Sequence, residues 1–123
     1  MYIELETLFD YRQYTGAPVH FYFDRKTYQI VDAKSREAVS NVPYERYLPL
    51  FQIDEEAMQE AYILQLNRKD ILYAYRRRMA GFREFVESYG LWEDWWQSYC
   101  DTVCRYAMEW CRKNHINYKD SVS

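Results

Sequence analysis

The sequence predicts an α+β fold: a small antiparallel sheet of two or three strands packed against four or five helices, closed by a long Trp-rich C-terminal helix. Three observations predict it. Apolar and polar residues alternate over Val19-His20-Phe21-Tyr22-Phe23, the two-residue period of a half-buried strand. From Asp54 onward the apolar residues recur at helical spacing. The chain has 123 residues, of which 49% are hydrophobic and 28% charged, enough for one domain with a sizeable core. The sequence reading is therefore a single domain over 1–123, with a helix and hairpin in 1–50, a helical part over 54–116 and a frayed tail at 117–123.

Leu5, Leu8 and Phe9 share one face at i, i+3, i+4, which predicts a short helix over 3–14. Gly16 and Pro18 stop it. The strand at 19–23 turns at Asp24-Arg25-Lys26-Thr27 and returns over 28–33, so 19–33 is a hairpin. Lys34 to Asn41 is polar and aperiodic, a loop. Arg46-Tyr47-Leu48-Pro49 reads as a short third strand, with Pro49 at its edge or end.

Asp54 is a strong N-cap, and Glu55 and Glu56 suit the positive end of a helix dipole. Met58, Ala61, Tyr62 and Leu66 form that helix's apolar stripe. Asp70 is read as the cap of a second helix bearing Ile71, Leu72, Tyr75 and Met79, which Gly81 interrupts. Phe82, Phe85, Val86 and Tyr89 follow at i, i+3, i+4, i+7, and Gly90 closes that helix. Trp92, Trp95, Trp96, Tyr99, Val103, Tyr106, Ala107 and Trp110 then mark one broad face of a helix about 20–24 residues long.

The composition narrows function. Fourteen Tyr, six Phe and four Trp make the chain 20% aromatic. Such residues fill a small core, and Tyr and Trp are also enriched at interface cores. The formal net charge is −3, which gives no general attraction to nucleic acid. The charge is uneven: residues 1–60 carry 6 basic and 11 acidic side chains, and residues 61–123 carry 10 and 8. Three cysteines, an odd number, and an N-terminus without the marks of a secretory signal point to reduced thiols and a cytoplasmic setting. No apolar run approaches the roughly 20 residues of a spanning helix, so no membrane role is expected.

Several chemistries are weighed. Cys100, Cys104, Cys111 and His115 follow one another at spacings of 4, 7 and 4, a stripe on the flank of the Trp face. Its ends lie about 22 Å apart along a helix, so it cannot surround one metal ion, and packing is the plainer reading. No metal or cofactor is expected. The three glycines are isolated, so no phosphate-binding glycine loop exists, and there is no nucleophile elbow. Arg68, Lys69, Arg76, Arg77, Arg78 and Arg83 form a basic segment with one acid, Asp70, interleaved with Tyr73, Tyr75 and Phe82. That composition can hold phosphates and stack bases. Three consecutive helical arginines spread over about 200°, however, so at least one must turn aside. Arg83, between Phe82 and Phe85, is a candidate to grip a carboxylate or phosphate, or else to pair with Glu87 at i+4.

Tyr44-Glu45-Arg46-Tyr47-Leu48-Pro49-Leu50, the capped acidic helix after it, Phe82-Arg83-Glu84-Phe85, Trp95-Trp96 and the stretch from Trp110 to Ile116 resemble the bacterial uncharacterised protein family 0158. The resemblance covers about residues 19–116. It departs from the family pattern at Val86, where Lys is commoner, at Ala80-Gly81-Phe82, and in a hairpin turn without Gly. It implies a small bacterial cytosolic α+β protein and brings no activity or catalytic residue.

The leading expectation is a non-enzymatic binding or adaptor module with a protein partner, and a homodimer is a further expectation. Arg46, Arg76, Arg77, Arg78 and Arg83 are the candidate ligand or partner residues. Nucleic-acid or phosphate-ligand binding through Arg68–Arg83 is the alternative. A small enzyme of unknown reaction, built on Arg83 or on Cys111 and His115, comes third.

Overall fold

The computed structural model describes residues 1–32 and 46–120; the expected loop over 34–41 and Tyr44-Glu45 lie outside them. Its elements, in order, are β1 (Ile3–Glu4), α1 (Leu5–Asp10), β2 (Gln13–Tyr14), β3 (Phe21–Asp24), β4 (Gln29–Asp32), β5 (Tyr47–Pro49), β6 (Gln52–Ile53), α2 (Glu55–Gln65), α3 (Lys69–Arg77), α4 (Phe82–Ser88), α5 (Trp92–Lys113) and β7 (Tyr118–Lys119). A three-stranded antiparallel sheet and five helices among the described residues make the fold α+β, with the long Trp-rich helix near the C-terminus. The chain divides into two compact units, Met1–Ile53 with Val103–Ser123, and Asp54–Thr102. The first boundary falls where the sequence places the start of the helical part.

In the first unit β3 is the central strand, in the order β4-β3-β5. Phe23 pairs with Ile30 on one side and Leu48 on the other. Pro49 ends β5, an edge strand where its missing N–H costs little. Phe23 is fully buried and meets Tyr28 and Trp110 edge-on, at centroid distances of 5.0 and 5.9 Å.

The predicted helix over 3–14 is shorter than expected. Leu5 and Leu8 are buried on α1, but the flanking residues leave the helix to pair. Ile3 and Glu4 lie parallel to Tyr118 and Lys119, and Gln13 and Tyr14 parallel to Gln52 and Ile53. The predicted frayed tail is corrected at the same place, since Tyr118 and Lys119 are strand residues; 121–123 lie outside the described residues.

Gln13 is a buried polar side chain that bridges three backbone segments. Its Oε1 accepts from the N–H groups of His20 (2.7 Å) and Phe21 (3.0 Å), and its Nε2 donates to the carbonyls of Phe21 (3.4 Å) and Leu50 (3.5 Å). One amide thus ties the backbone at His20 and Phe21 to that at Leu50, adding to the bond the Leu50 N–H makes to the Phe21 carbonyl.

In the second unit Asp54 caps α2, its Oδ1 accepting from the Ala57 N–H at 3.0 Å. The buried face of α2 is Met58, Tyr62 and Ile63, whereas Ala61 is exposed. Asp70 is not the cap of α3. Arg68 stands at that position and holds Asp70, a first-turn residue, through Nε (3.3 Å) and Nη2 (2.8 Å). Met79 is not part of an apolar stripe either. The chain turns extended at Arg78, and Met79 stands fully in solvent. Phe82, Phe85 and Val86 are buried on α4, and Phe82 meets Trp95 at 4.8 Å. Gly90, at φ +69°, closes α4: its N–H bonds to the Glu87 carbonyl and the Leu91 N–H to that of Val86.

The buried line of α5 is Trp95, Tyr99, Val103, Ala107 and Cys111, narrower than the predicted broad face. Steps of four residues advance it by about 40° each, so it winds around the helix. Trp96 and Tyr106 fall outside it and are exposed.

Candidate functional site

The structure sorts the candidate arginines by what each already holds. In the first unit Arg46 forms a two-pronged ion pair with Asp24, Nε to Oδ1 at 3.0 Å and Nη2 to Oδ2 at 3.1 Å. Asp24 also accepts from the Lys26 N–H at 2.9 Å. The guanidinium and the turn N–H hold its carboxyl at about 2, against the pull of burial. Arg46 acts here as the partner of a buried acid.

The other candidates are in the second unit. Arg78 folds back: Nη1 donates to the Tyr75 carbonyl at 2.7 Å, and the guanidinium lies 4.0 Å from the Tyr75 ring centre. It is the arginine that turns aside from the consecutive three. It lines an open cleft of about 450 Å³ with Tyr75, Asp54, Glu56, Ala57, Gln59 and Glu60. Three carboxylates around one guanidinium make that cleft unfavourable to phosphate. Arg76 and Arg77 point outward, and Arg77 lies over the Tyr73 ring at 4.3 Å.

Arg83 begins a row of stacked groups. Its Nε donates to Glu87 Oε1 at 2.9 Å, the i+4 pair of a helix surface. Its guanidinium carbon lies 4.5 Å from the Trp92 ring centre. Trp92 stacks on Trp96 at 5.9 Å with 19° between the planes, and Trp96 on Tyr99 at 5.3 Å and 19°. Tyr99 is buried and anchors the row. Trp96 is 41% exposed, and the Arg83 side chain 71%. Spacing along α5 places 92, 96 and 99 in line. Arg83 on α4 meets Trp92 on α5 across the turn at Gly90 that joins the two helices.

The cysteine stripe separates on folding. Cys111 is fully buried, and burial pushes its thiol up to about 11. Cys100 and Cys104 are half-buried, and no disulfide joins any of the three. His115 has left the helix. At φ +57° it occupies the left-handed position after α5, its own N–H bonding to Arg112 and the Ile116 N–H to the Cys111 carbonyl at 2.8 Å. Among the described residues no three His, Cys, Asp or Glu side chains gather where one ion could reach them. No helix among them is long and apolar enough to cross a membrane.

Compared with known proteins, the chain matches no family model, no curated sequence and no solved structure. The chemistry of its own surface therefore carries the functional reading.

Proposed function

We propose that this chain is a non-enzymatic binding or adaptor module whose protein partner docks on the row formed by Arg83, Trp92 and Trp96. One observation carries the reading: a guanidinium and two indoles are stacked into a rigid, partly exposed array anchored on buried Tyr99. Trp and Arg dominate the energetic centres of protein interfaces, and a pre-stacked array loses little side-chain freedom on binding. The row carries its own charge pair in Arg83 and Glu87, which can fix orientation at the rim of a contact.

A cytoplasmic setting belongs to the same proposal, supported by three cysteines that form no disulfide. So does membership of the bacterial uncharacterised protein family 0158, which adds no activity to the reading.

The test is affinity capture from a lysate of the producing organism with the wild-type chain and with Trp96→Ala, followed by titration calorimetry with the purified partner. The expected result is one stoichiometric protein whose affinity falls at least about tenfold with Trp96→Ala and holds with Tyr106→Ala. Recovery of no stoichiometric partner, or of one indifferent to Trp96→Ala, overturns the proposal.

A further inference from the structure

We propose that α3 carries a second binding surface, for single-stranded nucleic acid, on the face formed by Lys69, Tyr73, Arg76 and Arg77. These residues stand at i, i+4, i+7 and i+8, within an arc of about 100° on one helix and about 12 Å along its axis. All four are exposed, and Tyr73 is 59% so. The opposite face carries Ile71, which is fully buried, so the helix is fixed with its basic side outward. Among the described residues, Lys69 and Arg76 have no hydrogen-bond, ion-pair or ring partner. The one acid nearby, Asp70, is taken by both prongs of Arg68.

Charge complementarity selects the occupant. Within residues 54–102 every Lys and Arg lies between 68 and 83, six of them against Asp70 alone. The rest of that unit is acidic, so a polyanion has one place to settle. Arg78 and Arg83 are engaged elsewhere, which leaves Lys69, Arg76 and Arg77 for phosphates. Tyr73 supplies what a phosphate site does not need: a flat ring, held by the Arg77 guanidinium at 4.3 Å, on which a base can stack. Stacking requires an unpaired base, so the fit is to a single strand rather than a duplex. An anionic membrane fits less well, because the apolar side of α3 is spent on the protein interior and leaves only Tyr73, with Met79 just beyond the helix, to enter lipid. This inference does not rest on the partner reading, since none of its residues belongs to the Arg83–Trp92–Trp96 row.

The test is fluorescence anisotropy of a short labelled oligo-uridine with the full chain, from about 20 to 150 mM salt. Binding is expected at low salt, with log affinity falling against log salt at a slope of about −2, as for three phosphate contacts on a single strand. Lys69→Ala with Arg76→Ala is expected to weaken binding about tenfold or more and to flatten that slope by more than 1. Tyr73→Ala is expected to cost about fivefold or more with the slope unchanged, and Tyr73→Phe to restore binding. Trp96→Ala leaves it as it was, which separates this surface from the partner row. Three results overturn the proposal: no binding at low salt, binding indifferent to Tyr73→Ala, or a duplex held as tightly as the single strand. Phosphatidylserine vesicles are the remaining arm. If they are held in a Met79-dependent way and oligo-uridine is not, the surface is a membrane contact and the nucleic-acid proposal falls.

Discussion

Asp24 grips Arg46 through both carboxylate oxygens, at 3.0 and 3.1 Å, while its side chain is only 4% exposed. The pair joins the end of β3 to the start of β5. Breaking it by removing the arginine would leave an almost buried carboxylate without its counter-charge, the costly kind of loss. Arg46 is partly exposed, which moderates the effect.

The Asp24 carboxyl is held at about 2, below its ordinary 3.8. A depressed acid stabilises the fold above its unfolded value, and the contribution is lost as pH falls from about 3.8 towards 2. Asp24→Asn should lower stability by about 1–3 kcal/mol at neutral pH, and Arg46→Met should also destabilise the fold. For Asp24→Asn the deficit should shrink as pH approaches 2. Urea unfolding at the two pH values checks this; a deficit for Asp24→Asn that is independent of pH contradicts it.

Gln13 is the second polar group on which the first unit depends. Gln13→Ala removes the partner of the His20 and Phe21 N–H groups and of the Leu50 carbonyl, while the Phe21 carbonyl keeps the Leu50 N–H, and should cost about 2–4 kcal/mol. Gln13→Glu keeps the shape but turns a donor into a charged acceptor facing two carbonyls, and should cost at least as much. Hydrogen exchange should show the His20 and Phe21 amides losing protection first. If both variants unfold like the wild type, Gln13 is a filler and not a bridge.

The regular parts of this fold were legible because their signals are local. The hairpin shows in the alternation of Val19 to Phe23, and α2 in the Asp54 cap. The two parallel ladders were hidden. Ile3 pairs with Tyr118 and Gln13 with Gln52, and nothing in a local window announces so distant a neighbour. Leu5, Leu8 and Phe9 drew the helix outward over residues that long-range pairing claims as strand. The candidate sites divide in the same way. Arg78 turns aside because the helix has already ended at Arg77, whereas the Arg83–Glu87 pair follows from helical spacing. The stacking of Arg83 on Trp92 does not, because it requires the angle at which Gly90 turns α4 into α5.

Tyr62 and Asp94 contrast with Asp24 and Arg46. The buried Tyr62 hydroxyl donates to Asp94 Oδ2 at 2.7 Å, but Asp94 is exposed and rehydrates when the phenol is removed. Tyr62→Phe should therefore cost no more than about 1 kcal/mol. Burial first, and then the neighbouring carboxylate, raises the phenol above its ordinary value of 10.0. In an absorbance titration of phenolate, Tyr62 should be among the last tyrosines to ionise. Difference curves against Tyr62→Phe show whether it is.

Cys111 distinguishes a thiol placed for packing from one placed for chemistry. It is fully buried beside Ala107 on the inner line of α5, and desolvation alone lifts it to about 11. Nucleophilic and metal-binding cysteines need the opposite shift, because the thiolate is the reactive form. In the native chain an aromatic disulfide reagent at mildly alkaline pH should modify the half-buried Cys100 and Cys104 first. Cys111 should react only when denaturant opens the fold, at a rate set by unfolding. Cys111→Ala removes a fully buried sulfur and should cost about 1–2 kcal/mol through the small void it leaves. Cys111→Ser should cost more, because it puts a hydroxyl where burial demands a partner. A native Cys111 that reacted as fast as Cys100, or a Ser variant more stable than the Ala variant, would show that water and polar partners reach it. The inner line of α5 would then have to be redrawn around a wet site.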